Sequence, residues 1–174
     1  MVRHDAPHFP DADTIRDRRD SIEAGNELSL RAFEEAVAGA EVHVFVLDHH
    51  FDKRGADILG GGLVLSQVRD VRLLTGRGSL ADADRRELAN VLTESCNEER
   101  RDGRHVAVRW RATLSTDSFP FLHDRFAIVD GALWHFGATV GGGYPRLTAV
   151  SGPWSATETR AIDFFEECWR RNDA

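Results

Sequence analysis

The stretch His123-Asp124-Arg125-Phe126-Ala127-Ile128-Val129-Asp130, followed by Gly137-Ala138-Thr139-Val140-Gly141, places chemistry-bearing residue types at a usable spacing. His123 and Arg125 stand two apart in an apolar, partly β-branched run, so on a strand their side chains leave the same face. A nucleophile or base and a fixed cation would then share one pocket. Phe126 and Ile128 take the opposite face, and Val129 completes a run that anchors the strand in a core while its polar end reaches an edge. Asp130 belongs either to that site or only to the turn, because Asp130-Gly131 is a strong turn pair that pins a hairpin through local hydrogen bonds.

A second polar group, Asp48, His49, His50 and Asp52, follows the apolar run Val42 to Leu47, at the carboxyl end of a buried strand where open α/β sheets place ligands. These residues line a phosphate cleft or are simply solvated; no His-Glu-x-x-His or similar spacing points to a metal. Gly76-Arg77-Gly78-Ser79 ahead of a helix reads as a tight turn with a weak anion-cradle alternative. Arg109 and Arg111 share a strand face and either extend a basic pocket or stand solvated. Trp134 and His135 read as hairpin packing.

The spacing from His123 to Gly137 resembles the signature of the phospholipase D superfamily, H-x-K-x4-D-x6-G-S-x2-N. His123, Asp130 and Gly137 fall in register, while Arg125 stands at the lysine, Ala138 at the serine and Gly141 at the asparagine. Residues 42–47 and the loop after them are similar to the first strand of small domains of that kind, and the resemblance spans roughly residues 25–174. It implies a phosphodiesterase, a nuclease in preference to a lipid hydrolase because no interfacial amphipathic segment is evident. His123, Arg125 and Asp130 would carry catalysis, and Gly137, Thr139, His49 and His50 would contact substrate. In that family one histidine forms a phosphohistidine and a second, from a paired motif, protonates the leaving group. This chain has one motif, so a homodimer bringing two copies of His123 together is expected. Arg125 can grip phosphate through its planar fork, and Thr139 with backbone N–H groups around Gly141-Gly142-Gly143 can replace the lost serine and asparagine donors. No cofactor and no metal are expected. The competing reading is a catalytically inactive phosphate- or partner-binding domain of a larger bacterial system.

The elements that must position these residues can be read from pattern. Leu30, Phe33 and Val37 have helical spacing with Gly39 as a stop, and residues 42–47 form a strand covered on both faces. Val71 to Leu74 is a second strand. Leu88, Val91, Leu92 and Cys96 then mark a helix that Gly103 would end. Val106, Val108 and Trp110 alternate with polar neighbours, and the motif strand forms a hairpin with a strand through Trp134 and Phe136. Residues 146–151 suggest one more strand. Ser155-Ala156-Thr157-Glu158 fits a capping box opening a helix that turns Ala161, Ile162, Phe165, Cys168 and Trp169 inward. The expected fold is α/β, a mixed sheet flanked by helices as an α/β/α sandwich, with Val44, Val46, Leu73, Val108, Ile128, Phe165 and Trp169 in or next to one core.

A chain of 174 residues makes one domain and buries about 70% of its unfolded surface. Residues 1–24 read as a charged N-terminal arm and 25–174 as the phospholipase D-like domain. A formal charge of -7 argues against a surface coated for broad nucleic-acid or membrane binding, though a local basic pocket and a protein partner stay open. Cys96 and Cys168 lack C-x-x-C pairing and read as core residues. The first residues lack the apolar region of a signal peptide and no run approaches bilayer length, so membrane insertion is not expected and the cytoplasm is the expected location.

Overall fold

The computed structural model describes residues 30–77, 80–100, 102–115, 119, 122–141 and 150–171. The proposed N-terminal arm, Gly78, Ser79, Gly142, Gly143 and residues 146–149 lie outside them. The elements run from helix α1 (30–38) to β1 (His43–Asp48), α2 (Lys53–Leu65), β2 (Asp70–Gly76), α3 (Asp82–Glu98) and β3 (Val108–Leu114). The hairpin β4 (Arg125–Val129) and β5 (Ala132–Phe136) follows, then β6 (Val150–Ser155) and α4 (Ala161–Arg171).

The six strands form one mixed sheet in the order β3-β2-β1-β4-β5-β6. β1 lies parallel to β2 and antiparallel to β4, so it is the seam between a parallel half built by α2 and α3 crossovers and an antiparallel half of β4, β5 and β6. Alternation then sorts side chains between two faces. Val44, Val46, Leu73 and Val108 pack beneath α1, α2 and α3, whereas Phe45, Leu47 and Ile128 pack on the other face with Phe165 and Trp169 of α4. All seven expected core residues are buried, but the sheet divides them between two cores.

Helix α2 carries no sequence signal strong enough to announce it, because Gly55, Gly60, Gly61 and Gly62 depress its helix propensity. Packing explains the glycines. A Cβ on Gly62 would stand 2.8 Å from the Val37 side chain of α1, and one on Gly60 would stand 3.3 Å from Leu92 of α3. The helix therefore lies wedged between its two neighbours at a separation only glycine permits. Boundaries also differ from expectation, and β6 runs over Val150–Ser155 where a strand was expected over residues 146–151. α3 stops at Glu98, with Gly103 at a φ of +69° in the connection beyond it. Ser155 does accept the Glu158 N–H at 3.1 Å, but that cap closes a turn, and α4 starts only after Arg160, at a φ of +58°.

Asp130 ties the hairpin to the chain entering β1. It takes a φ of +51° at the β4–β5 turn and its carboxylate accepts backbone N–H bonds from Glu41 at 3.1 Å, Val42 at 2.8 Å and His43 at 3.0 Å. Its own N–H donates to the His43 carbonyl at 2.9 Å. These bonds set the β1–β4 register in which Leu47 faces Phe126.

Two outcomes check this account in urea unfolding. Gly62→Ala loses about 1–3 kcal/mol through overpacking against Val37, while Gly61→Ala, which meets only the end of the Glu34 side chain, is neutral or gains up to about 1 kcal/mol from helix propensity. Asp130→Ala loses about 1–3 kcal/mol by removing the shared acceptor of three N–H donors, which turn to water instead, with Asp130→Asn recovering part of it.

Candidate functional site

β4 begins where β1 ends. Extending the β1–β4 pairing one step past Leu47 and Phe126 sets Asp48 opposite Arg125, on the three-helix face of the sheet. The Asp48 side chain is fully buried, and its Oδ1 lies 3.7 Å from Arg125 Nε. Oδ1 also accepts the His50 N–H at 2.8 Å, and Oδ2 accepts the Val140 N–H at 2.8 Å. One carboxylate thus joins the loop after β1, the start of β4 and the loop after β5. Burial pushes its pKa up to about 6, against the pull of the two backbone donors and of Arg125, with Asp52 adding a smaller push in the same direction as burial.

The loop after β5 is pressed onto the first turn of α2. Asp52 caps that helix by accepting the Gly55 N–H at 2.9 Å. Gly141 takes a φ of +84°, and a Cβ there would stand 2.6 Å from Gly55 Cα, while a Cβ on Gly55 would stand 2.5 Å from the Val140 carbonyl oxygen. Gly141, at the position where the phospholipase D signature has asparagine, is thus dictated by a backbone-to-backbone contact. Ala138 and Thr139 beside it are buried.

His49 and His50 leave the end of β1 with their rings stacked at 5.1 Å. The His49 ring rests against Gly76 at the end of β2, where a Cβ would fall 2.0 Å from Nδ1, and that nitrogen is buried without a hydrogen-bond partner among the described residues. Burial lowers the His49 pKa, and the charges of His50, Arg125 and His123 push it further in the same direction. Those four residues therefore gather at one end of the sheet. His123 is exposed just ahead of β4, Arg125 is half-buried, and Gly137 is exposed just past Phe136, which pairs with Arg125.

Six of the seven expected site residues, His49, His50, His123, Arg125, Gly137 and Thr139, thus occupy this end or the loop closing it. Asp130 does not join them. It sits at the opposite end of β4, with its carboxylate engaged by backbone donors, because the five residues of β4 that separate it from Asp124 span the sheet. Asp48 is the central group that motif reading left in the background; its signal was a lone acid closing an apolar strand, and only the pairing of β1 with β4 joins it to Arg125. Arg109 and Arg111 extend no pocket here. Arg109 bonds Asp70 at 2.5 Å and Arg111 lies 4.0 Å over the Trp169 ring, both on the α4 side.

The arrangement offers an open guanidinium and three imidazoles, backed by one buried acid. Guanidinium and imidazole N–H groups suit the oxygens of a compact anion. Among the described residues no group of three His, Cys, Asp or Glu side chains is placed to hold a metal ion. A separate apolar groove of about 660 Å³, lined by Phe126, Leu133, Trp154 and Phe164, opens on the α4 face, with His135 and Asp124 paired at 3.5 Å along it. Trp134 is buried hairpin packing against Phe33, at 6.0 Å between rings.

No helix among the described residues is long and apolar enough to cross a membrane. No family model matches the chain, and no curated protein does. Among solved structures it is similar to TrmBL2, an archaeal chromatin protein whose structure shows a novel mode of DNA binding. The TM-score is 0.49 and the identity 13%, over 84% of this chain and 50% of TrmBL2, so the chain spans half the length of that neighbour.

Proposed function

We propose that the chain is a phospholipase D-like domain that binds a compact phosphate ester at the end of the sheet formed by His49, His50, His123 and Arg125. The observation that carries this reading is the convergence of those four side chains at the ends of β1 and β4, from two segments far apart in sequence. A compact group of one arginine and three histidines on a chain of formal charge -7 suits one phosphate group better than a polyanion backbone, which needs repeated basic contacts along its length. Gly137 and the loop through Thr139 border the same space.

A second reading, cleavage of a phosphodiester with nucleic acid as the substrate, is favoured by the exposure of His123. A nucleophilic histidine has to reach phosphorus in line with the leaving oxygen. In the phospholipase D scheme a second copy of this chain would then supply a second His123 across a two-fold axis.

One set of measurements tests both. Titration of isotope-labelled protein with inorganic phosphate, phosphomonoesters and short oligonucleotides shifts the resonances of His49, His50, His123 and Arg125. Arg125→Ala weakens binding roughly tenfold or more by removing a charge-assisted contact, and Arg125→Lys weakens it less, since the charge remains and the fork is lost. Wild-type protein that binds none of these ligands at millimolar concentration defeats the phosphate reading. For the cleavage reading, wild-type protein hydrolyses a generic phosphodiester or an oligonucleotide, His123→Ala abolishes turnover, and sedimentation shows a dimer at micromolar concentration. A monomer without turnover leaves binding alone.

A further inference from the structure

Arg125 is held in an unusual way. Its Nε lies 3.7 Å from Asp48 Oδ1, a charge contact too long for a hydrogen bond, and among the described residues its guanidinium has no hydrogen-bond partner. Asp48 meanwhile spends its oxygens on the His50 and Val140 N–H groups. The cation is attracted by a buried acid at the end of the sheet that carries the three histidines, and no acceptor among the described residues takes its N–H donors. An ionised Asp48 thus does two opposed things at once: it keeps Arg125 at the mouth of the site, and it repels any anion that approaches the guanidinium.

Resting on the phosphate-ester reading, we propose that Asp48 is the built-in counterion of this site: it holds Arg125 by charge when the site is empty and takes up a proton from solvent when an anion engages the guanidinium. Asp48 is a positioning residue in this scheme, acting on the ligand through Arg125. The groups facing it are known from each surrounding element. Arg125 faces it from β4, Asp52 from the cap of α2, and His50 from the loop after β1, with His49 and His123 bearing on the same end of the sheet. From β2 the paired residue is Thr75, whose hydroxyl accepts the Trp110 indole N–H of β3 at 3.0 Å, and neither of these two ionises near neutrality. The two backbone donors remain satisfied by a neutral carboxyl, since each oxygen keeps a lone pair for its N–H. Protonation therefore removes the charge without unfastening the loops. Because burial has already brought the carboxyl up to about 6, a nearby anion is enough to tip it near neutral pH.

The sign follows from linkage. If the anion binds the form with Asp48 protonated, affinity is level below pH about 6 and falls by about tenfold per pH unit above it. The histidines are common to both proteins, so the contribution of Asp48 is isolated by comparison with Asp48→Asn, which is neutral at every pH but keeps only one acceptor oxygen for the two backbone N–H groups, so that its pH dependence and not its absolute affinity is read. The probe is dimethyl phosphate, whose single charge is constant over the range. Affinity is read by NMR titration of the full chain between pH 5 and pH 8, and the Asp48 carboxyl is followed directly by its ¹³C shift. The expected result is an affinity of Asp48→Asn relative to wild type that rises at least tenfold between pH 5 and pH 7.5, and a wild-type Asp48 midpoint that rises on saturation. A folded Asp48→Asn whose affinity relative to wild type does not rise between pH 5 and pH 7.5 overturns the proposal, as does a wild-type midpoint that saturation leaves unmoved. The charge contact is also read without ligand: the Asp48 midpoint rises in Arg125→Gln, and an unchanged midpoint overturns the counterion role even if Asp48→Asn fails to fold. If wild type and Asp48→Asn bind no dimethyl phosphate, inorganic phosphate or phosphomonoester at any pH, it is the phosphate reading that falls, along with proton uptake on binding, and the ligand-free titration alone decides whether Asp48 is the counterion of Arg125.

Discussion

The buried carboxylate of Asp48 is the constraint on which this end of the molecule depends. Without solvent around it, its charge is met by two backbone N–H groups and by Arg125. Its pKa of about 6, against an ordinary 3.8, means that the unfolded chain releases its proton first as pH rises. Stability therefore falls between those two values and stays lower above them, by about 3 kcal/mol from this group alone. The fold tolerates a carboxylate that destabilises it in return for a joint between three segments. Replacing it with an apolar side chain would leave the buried Val140 N–H unmet and take the acceptor from the half-buried His50 N–H.

The two ends of β4 have separate tasks, both rooted in the same antiparallel pairing with β1. At one end Asp130 gathers the N–H groups of Glu41, Val42 and His43 and holds the strands in register. At the other end that register delivers Arg125 to Asp48. A slip of one residue would turn Arg125 toward α4 and send Asp124 or Phe126 into the polar end. Alternation also divides neighbours in the chain: Arg125 faces the three-helix side, while Asp124 pairs with His135 on the α4 side, along the apolar groove.

Backbone contacts do the rest of the positioning. Gly55 and Gly141 let the loop after β5 lie directly on the start of α2, and Gly76 lets the His49 ring settle against β2. Side chains at these places would lift the loop or the ring and open the space between Arg125 and the histidines. Similar logic governs α2 as a whole, whose glycines matter for how near α1 and α3 can come.

Much of this was legible in the residues. Period-two and period-3.6 patterns located all five strands up to β5, the hairpin, three of the helices and the buried face of α4, because burial on one or both sides imposes those periods directly. That His123 and Arg125 stand at the same end of β4 was legible for the same reason. Helix α2 was not, since its glycines answer to contacts with Val37 and Leu92 that a local pattern does not contain. Whether Asp130 served the site or the turn was undecidable from a motif, because strand length places Asp130 and Arg125 at opposite ends and the choice lies with the N–H groups of a segment almost ninety residues earlier. By itself the sequence determined the layers, the strand faces and the place of Arg125 at the end of its strand. Only tertiary structure decided that β1 and β4 are neighbours, and with it that a buried acid from one meets the cation of the other, for a charge contact over 3.7 Å depends on register across the sheet.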